Sequence, residues 1–262
     1  MKESGSCIFC GEKGMTKQHI WPNFLRKIVQ FKNNAVNTKT TIHYTDKFVS
    51  VTPSYKKQQG DMLTKKIRRV CRACNNGWMS VLESQIKEVV SGLINEETLE
   101  LENNLQSQLS AWITLVVVMA EFLDEHTKSV PTKDLLYLMK NIKTPQGWKI
   151  FIGRYEGIKF SRKYTHNGKY LCKKDDLANF TGTPSGNCQD SMFIIDSLFI
   201  YARSIPTDLN FTPRIDNFLP KLSVYQLWPI ASEKLIFPIK KPLLDYDIDN
   251  ILSILTSSDR KI

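Results

Sequence analysis

Apolar positions along the chain follow two rhythms. From Trp78, the residues Trp78, Leu82, Ile86 and Val89 recur at three- and four-residue steps, the stripe of an amphipathic helix that starts beside Cys74. Leu105 to Leu123 and Thr132 to Ile142 repeat that period, the second entered through Pro131-Thr132 with Asp134 in its first turn. Leu243 to Leu255 reads as a closing amphipathic helix. The shorter β-branched and aromatic runs Trp148 to Ile152, Ser191 to Ala202 and Leu222 to Trp228 predict strands. Near the N-terminus, Met15 to Val29 predicts an extended segment and then a short helix from about Asn23, because Pro22 holds its predecessor extended. Residues 40 to 52 predict a hairpin around Thr45-Asp46-Lys47, and the polar stretch from Pro53 to Asp61 predicts a loop. The sum is an α+β chain, divided into a small N-terminal unit over 1–83 and a larger mixed α+β domain over 84–262.

The longest apolar run, Ala111 to Ala120 with only Thr114 interrupting, is bounded by Ser110 and Glu121. It is too short for the roughly 18 apolar residues of a membrane span and predicts a buried helix. Met1 to Ser6 carries no apolar stretch of the secretory kind. Four of the six cysteines form two Cys-x-x-Cys pairs, Cys7/Cys10 and Cys71/Cys74, which suits thiolate ligands in a reducing compartment. The expected location is the cytoplasm.

Those pairs, 60 residues apart, are the strongest chemical signal in the chain. Each can offer two thiolates at tetrahedral angles while the intervening chain folds back, so one structural Zn²⁺ is expected on Cys7, Cys10, Cys71 and Cys74. Four protein ligands leave no open position on such an ion. The leftover Cys172 and Cys188 have no ligand spacing and are expected to be ordinary buried or half-buried residues.

Charge changes the picture further. Of the net +10, residues 1–80 hold fifteen Lys or Arg against four Asp or Glu, while the remainder is almost balanced at 21 against 22. Folding does not require that excess, and it costs self-repulsion, so a polyanionic partner is expected. Lys65, Lys66, Arg68, Arg69 and Arg72 crowd the second cysteine pair and are the candidate phosphate contacts.

The strings Cys7-Ile-Phe-Cys10, Thr16-Lys-Gln-His-Ile-Trp-Pro22 and Cys71-Arg-Ala-Cys-Asn-Asn-Gly-Trp-Met-Ser-Val-Leu-Glu83 resemble the zinc-stapled branch of the HNH endonucleases. The resemblance covers residues 7–83 and implies a ββα-metal fold clamped by the two cysteine pairs. By that resemblance His19 is the general base on the attacking water, and Asn75 gives its amide oxygen to a catalytic Mg²⁺ or Mn²⁺. The family places Asp or Glu before the histidine, where this chain has Gln18. A neutral amide holds a divalent ion less tightly than a carboxylate does. The chain is then a weakened nuclease, one that recruits another carboxylate, or a non-catalytic zinc-stapled binder of nucleic acid. Glu12 and Asp61 are open as replacements, and His43 is a further histidine near the motif. Glu83 is set aside, because a continuous helix would carry it about 12 Å beyond Asn75. Trp21 and Trp78 are expected to form a small core beneath the zinc.

The leading expectation is an HNH-type endonuclease hydrolysing phosphodiester bonds, on DNA in preference to RNA, with residues 84–262 recognising a target or partner. A homodimer or a regulatory protein partner fits that class. Docking of the basic face on an acidic protein is a third reading.

Overall fold

The computed structural model describes residues 5–29, 36–41, 54–59, 64–123, 128–172, 186–209 and 211–256. The chain opens with β1 (Met15–His19) and the one-turn helix α1 (Leu25–Ile28), the extended-then-helical order expected around Pro22. β2 (Val36–Thr41) and β3 (Ser54–Gln59) form an antiparallel pair of their own. The hairpin expected over 40–52 lies almost wholly outside the described residues. β3 occupies most of the segment expected as a loop. Its Ser-Tyr-Lys-Lys-Gln-Gln sequence is held by backbone pairing with β2 from Val36↔Gln59 to Thr41↔Ser54, which a hydropathy pattern does not report.

β4 (Lys66–Cys71) returns to pair antiparallel with β1. The chain then makes a single turn, α2 (Arg72–Cys74), and a π-helical turn over Asn75–Met79, before α3 (Ser80–Ile94). A continuous helix from the second cysteine pair was expected. It is broken at Gly77, whose φ of −90° and ψ of −116° lie outside the helical region. Beyond the break, Leu82, Ile86, Val90 and Leu93 are fully buried.

Next come β5 (Leu99–Glu102), the long α4 (Asn103–Glu121) and α5 (Thr132–Asn141). A five-stranded sheet follows from β6 (Trp148–Arg154), β7 (Arg162–Lys169), β8 (Cys188–Ile195), β9 (Leu198–Ser204) and β10 (Val224–Trp228). Its order is β10-β6-β9-β8-β7, and every neighbouring pair is antiparallel. α6 (Arg214–Phe218) precedes β10, while β11 (Lys234–Phe237) pairs with β5 and α7 (Asp245–Thr256) closes the fold.

Successive side chains of a strand point to opposite faces, and both faces of this sheet are buried. Trp148, Ile150, Ile152, Phe193, Ile195, Ile200 and Ala202 share one cluster with α4, whereas Phe151, Met192, Ile194, Phe199 and Tyr201 join Ile215 of α6 and Ile248 and Ile251 of α7. The architecture is thus α+β, with helices packed on both faces of an antiparallel sheet. Among the described residues no helix is long and apolar enough to cross a membrane.

The first cluster also contains Cys7, Phe9, Leu25, Val70 and Leu82, so the N-terminal unit and the sheet share one core. Trp21 is the joint. Its ring meets Trp112 of α4 edge-on at 6.4 Å and Phe193 of β8 at 4.9 Å, not the cysteine knuckle beneath which it is expected. Trp78 does pack there, edge-on to Phe9 at 5.0 Å. α3 runs through the boundary drawn between residues 83 and 84.

Candidate active site

Two turns and one strand pair gather the cysteines. The Gly11 amide donates to the Cys7 carbonyl at 2.9 Å, and the Cys7 amide to the Glu12 carbonyl at 2.8 Å, closing the first knuckle. Gly11 takes φ +79° there, a conformation open to glycine at little cost. The Ile8 amide donates to the Arg69 carbonyl at 3.0 Å, and Met15 pairs with Cys71 in the β1–β4 ladder. The four sulfurs consequently lie within 4.8 Å of one another, with Cys10 and Cys71 Sγ at 3.5 Å. A tetrahedral zinc with 2.3 Å bonds sets sulfurs about 3.8 Å apart, so the cluster is compatible with a structural metal such as zinc. Cys7, Cys71 and Cys74 are buried and Cys10 lies at the surface. Burial pushes the Cys7 thiol up, but amide hydrogen bonds from Cys10, Cys71 and Phe9 outweigh it and hold the group down at about 7. Burial raises Cys10 and Cys74. A metal ion takes all four as thiolates. Cys188 is buried and Cys172 half-buried, both apart from this cluster.

The same strand pair carries the other predicted residues. In β1, Thr16 aligns with Val70, Gln18 with Ile67 and His19 with Lys66, with a bulge in β4 where Arg68 and Arg69 oppose Lys17. Thr16 and Gln18 turn toward the segment after Cys74. Asn75 Nδ2 donates to Thr16 Oγ1 at 2.9 Å, and Thr16 Oγ1 donates to the Val70 carbonyl at 3.2 Å. This bond fixes the nitrogen end of the Asn75 amide and leaves its oxygen as the end suited to a cation. Gln18 is 9% exposed, and its Nε2 donates to Glu83 Oε1 at 3.4 Å. His19 is half-buried beside it.

Glu83, set aside on the premise of a continuous helix, therefore lies in the candidate site. The premise fails at Gly77, where the chain changes direction before α3 begins. Burial pushes the Glu83 carboxyl up to about 7. Its first turn of α3 faces β1, and among the described residues Gln18 is its hydrogen-bond partner. Thr16 carries no catalytic signal in the sequence, although its place two residues before Gln18 puts it on the same strand face.

Of the basic run, Lys66, Arg68 and Arg72 are exposed, and Lys66 stands directly across the ladder from His19. Lys65 and Arg69 are half-buried, and the Arg69 guanidinium sits 5.5 Å over the Phe122 ring beyond α4. Three of the five thus face solvent, Arg69 is used in packing and Lys65 lies between. Glu12 is exposed and contributes its carbonyl to the knuckle; His43 and Asp61 lie outside the described residues.

No family model, curated protein or solved structure matches this chain.

Proposed function

We propose that the chain is a metal-dependent endonuclease of the HNH type, hydrolysing phosphodiester bonds of nucleic acid, DNA in preference to RNA. The observation that carries this reading is the convergence on β1. The strand bearing Gln18 and His19 is paired to the strand that ends at Cys71, and Asn75, next after the last cysteine, is hydrogen-bonded to Thr16 of that strand. One cysteine cluster thereby fixes a two-stranded element that carries His19 and the entry to a helix that carries Asn75.

In this reading His19 as neutral imidazole takes a proton from water as its oxygen attacks phosphorus, and the P–O3′ bond breaks. Asn75 would hold a divalent ion through its amide oxygen, and that ion when bound would supply positive charge to the phosphate and the departing 3′ oxygen. Lys66, Arg68 and Arg72 hold the flanking phosphates and position the backbone without reading bases. Residues 84–262 serve target or partner recognition. Zinc in the cysteine cluster has a structural role, and the protein works in the cytoplasm.

Labelled DNA and RNA duplexes incubated with Mg²⁺ test the reading. The wild type is expected to cut DNA, His19→Ala to be slower by roughly 10²-fold or more, and Lys66→Ala to weaken binding and lower the salt slope by about 1. Salt-dependent binding with no cleavage would leave a non-catalytic nucleic-acid binder instead.

A further inference from the structure

The HNH endonucleases that this chain resembles usually carry an acidic residue before the histidine, where position 18 supplies an amide. The fold brings one from elsewhere. Glu83 Oε1 stands 3.4 Å from the Gln18 amide, although 65 residues separate the two in sequence. Gln18 and Thr16 lie on one face of β1, and Asn75 is pinned to Thr16. Glu83, Gln18 and Asn75 therefore border the same side of the strand, Glu83 from the first turn of α3 beyond the Gly77 break.

The surroundings of Glu83 are those of a ligand awaiting a cation. It is half-buried, and among the described residues no lysine or arginine reaches salt-bridge distance. A carboxylate placed so costs desolvation energy that a neutral amide donor returns only in part. Half a turn of the Gln18 amide exchanges its nitrogen for its oxygen and sets two oxygens face to face. Neighbouring oxygens on one octahedral ion with 2.1 Å bonds are about 3 Å apart, close to the 3.4 Å seen here. Two oxygens at that spacing can serve as adjacent ligands of one divalent cation.

Resting on the nuclease reading, we propose that Glu83 is the carboxylate ligand of the divalent-cation site, standing in for the acidic residue absent at Gln18. Gln18 contributes its amide oxygen, and Asn75 completes the protein's share.

The test is Mn²⁺ binding to the zinc-loaded full chain, followed by electron paramagnetic resonance and independent of any cleavage. The wild type is expected to bind Mn²⁺, Glu83→Gln to bind it roughly 10- to 100-fold more weakly, and the exchange Gln18→Glu with Glu83→Gln to recover binding by moving the carboxylate to the other partner. Equal binding by wild type and Glu83→Gln would overturn the role of Glu83 and leave the nuclease reading intact. Absence of binding by the wild type would overturn the proposal outright. Mn²⁺ binding that depends on Glu83, without cleavage of plasmid DNA, would keep the cation site and defeat the nuclease reading. Should Glu83→Gln lose its melting transition, the exchange variant decides: recovered binding supports the site, lost binding refutes it.

Discussion

Two carboxylates in this protein respond to pH in opposite senses, because their partners differ. Burial pushes Glu83 up to about 7, with only an amide to answer it. A carboxyl whose folded value exceeds its unfolded one binds protons more tightly in the native state, so stability falls as pH rises between the two values. From Glu83 alone, stability without divalent ions should decline between about pH 4.5 and 7 and level off above. Glu83→Gln should abolish that decline and, at pH 8, raise Tm by roughly 2–4 °C for each kcal/mol released. A calorimetric pH series reads both effects. Unchanged pH dependence in Glu83→Gln would contradict the desolvated-carboxylate account. Asp190 behaves otherwise. Burial raises it, but Lys169, Tyr201 and Arg203 outweigh burial and hold it below its ordinary value. Its contribution is present at neutral pH and is lost only as pH falls through that lowered value.

At the scale of elements, the long periodic helices were legible in the sequence and the sheet only in part. α4 and α5 lie within two residues of their predicted spans at every end. The run Ser191 to Ala202 predicts strand but is two strands folded at Asp196, which takes φ +50°. The turn is hidden because apolar residues press close on both sides of it. β7 gave no signal at all, since Arg-Lys-Tyr-Thr-His-Asn-Gly-Lys is polar. Its centre is nevertheless buried, and partners on neighbouring elements answer part of its polarity, although Tyr164 Oη and Thr165 Oγ1 are buried without a hydrogen-bond partner among the described residues. His166 Nδ1 lies 2.8 Å from Ser191 Oγ, with Glu121 of α4 3.5 Å from the other ring nitrogen, and Lys169 Nζ donates to Asp190 at 2.9 Å. Polar strands buried by mutual pairing cannot be recognised until the partner is known. Lys169→Met should leave the Asp190 carboxylate buried without that cation and destabilise the fold by about 3–5 kcal/mol. Denaturant melts of Lys169→Met and of the double change with Asp190→Asn separate the pair from the packing. A double variant no more stable than Lys169→Met would contradict the assignment.

Across the whole molecule, the cysteine motif was legible from spacing alone, but its attachment to the rest was not. Trp21 reads in sequence as part of the motif, whereas in the fold it enters the core between α4 and β8. Nothing local to residue 21 announces a partner at 112 or 193. Trp21→Ala should cost about 3–5 kcal/mol, a loss spread over the whole fold and not confined to the knuckle. Chelation should act likewise. Removing a structural metal from the four cysteines would leave three buried thiols beside the β1–β4 ladder, so a single cooperative melt should shift to lower temperature. Two separate transitions after chelation would show that the sheet stands without the N-terminal unit.

Cleavage of supercoiled plasmid by the zinc-loaded protein with Mn²⁺, run beside His19→Ala and Gln18→Glu, tests the central claim most directly. The account predicts nicked or linear product from the wild type, at least about 10²-fold less from His19→Ala, and no less from Gln18→Glu. Supercoiled DNA left intact by both the wild type and Gln18→Glu, or cut equally by His19→Ala, would contradict it.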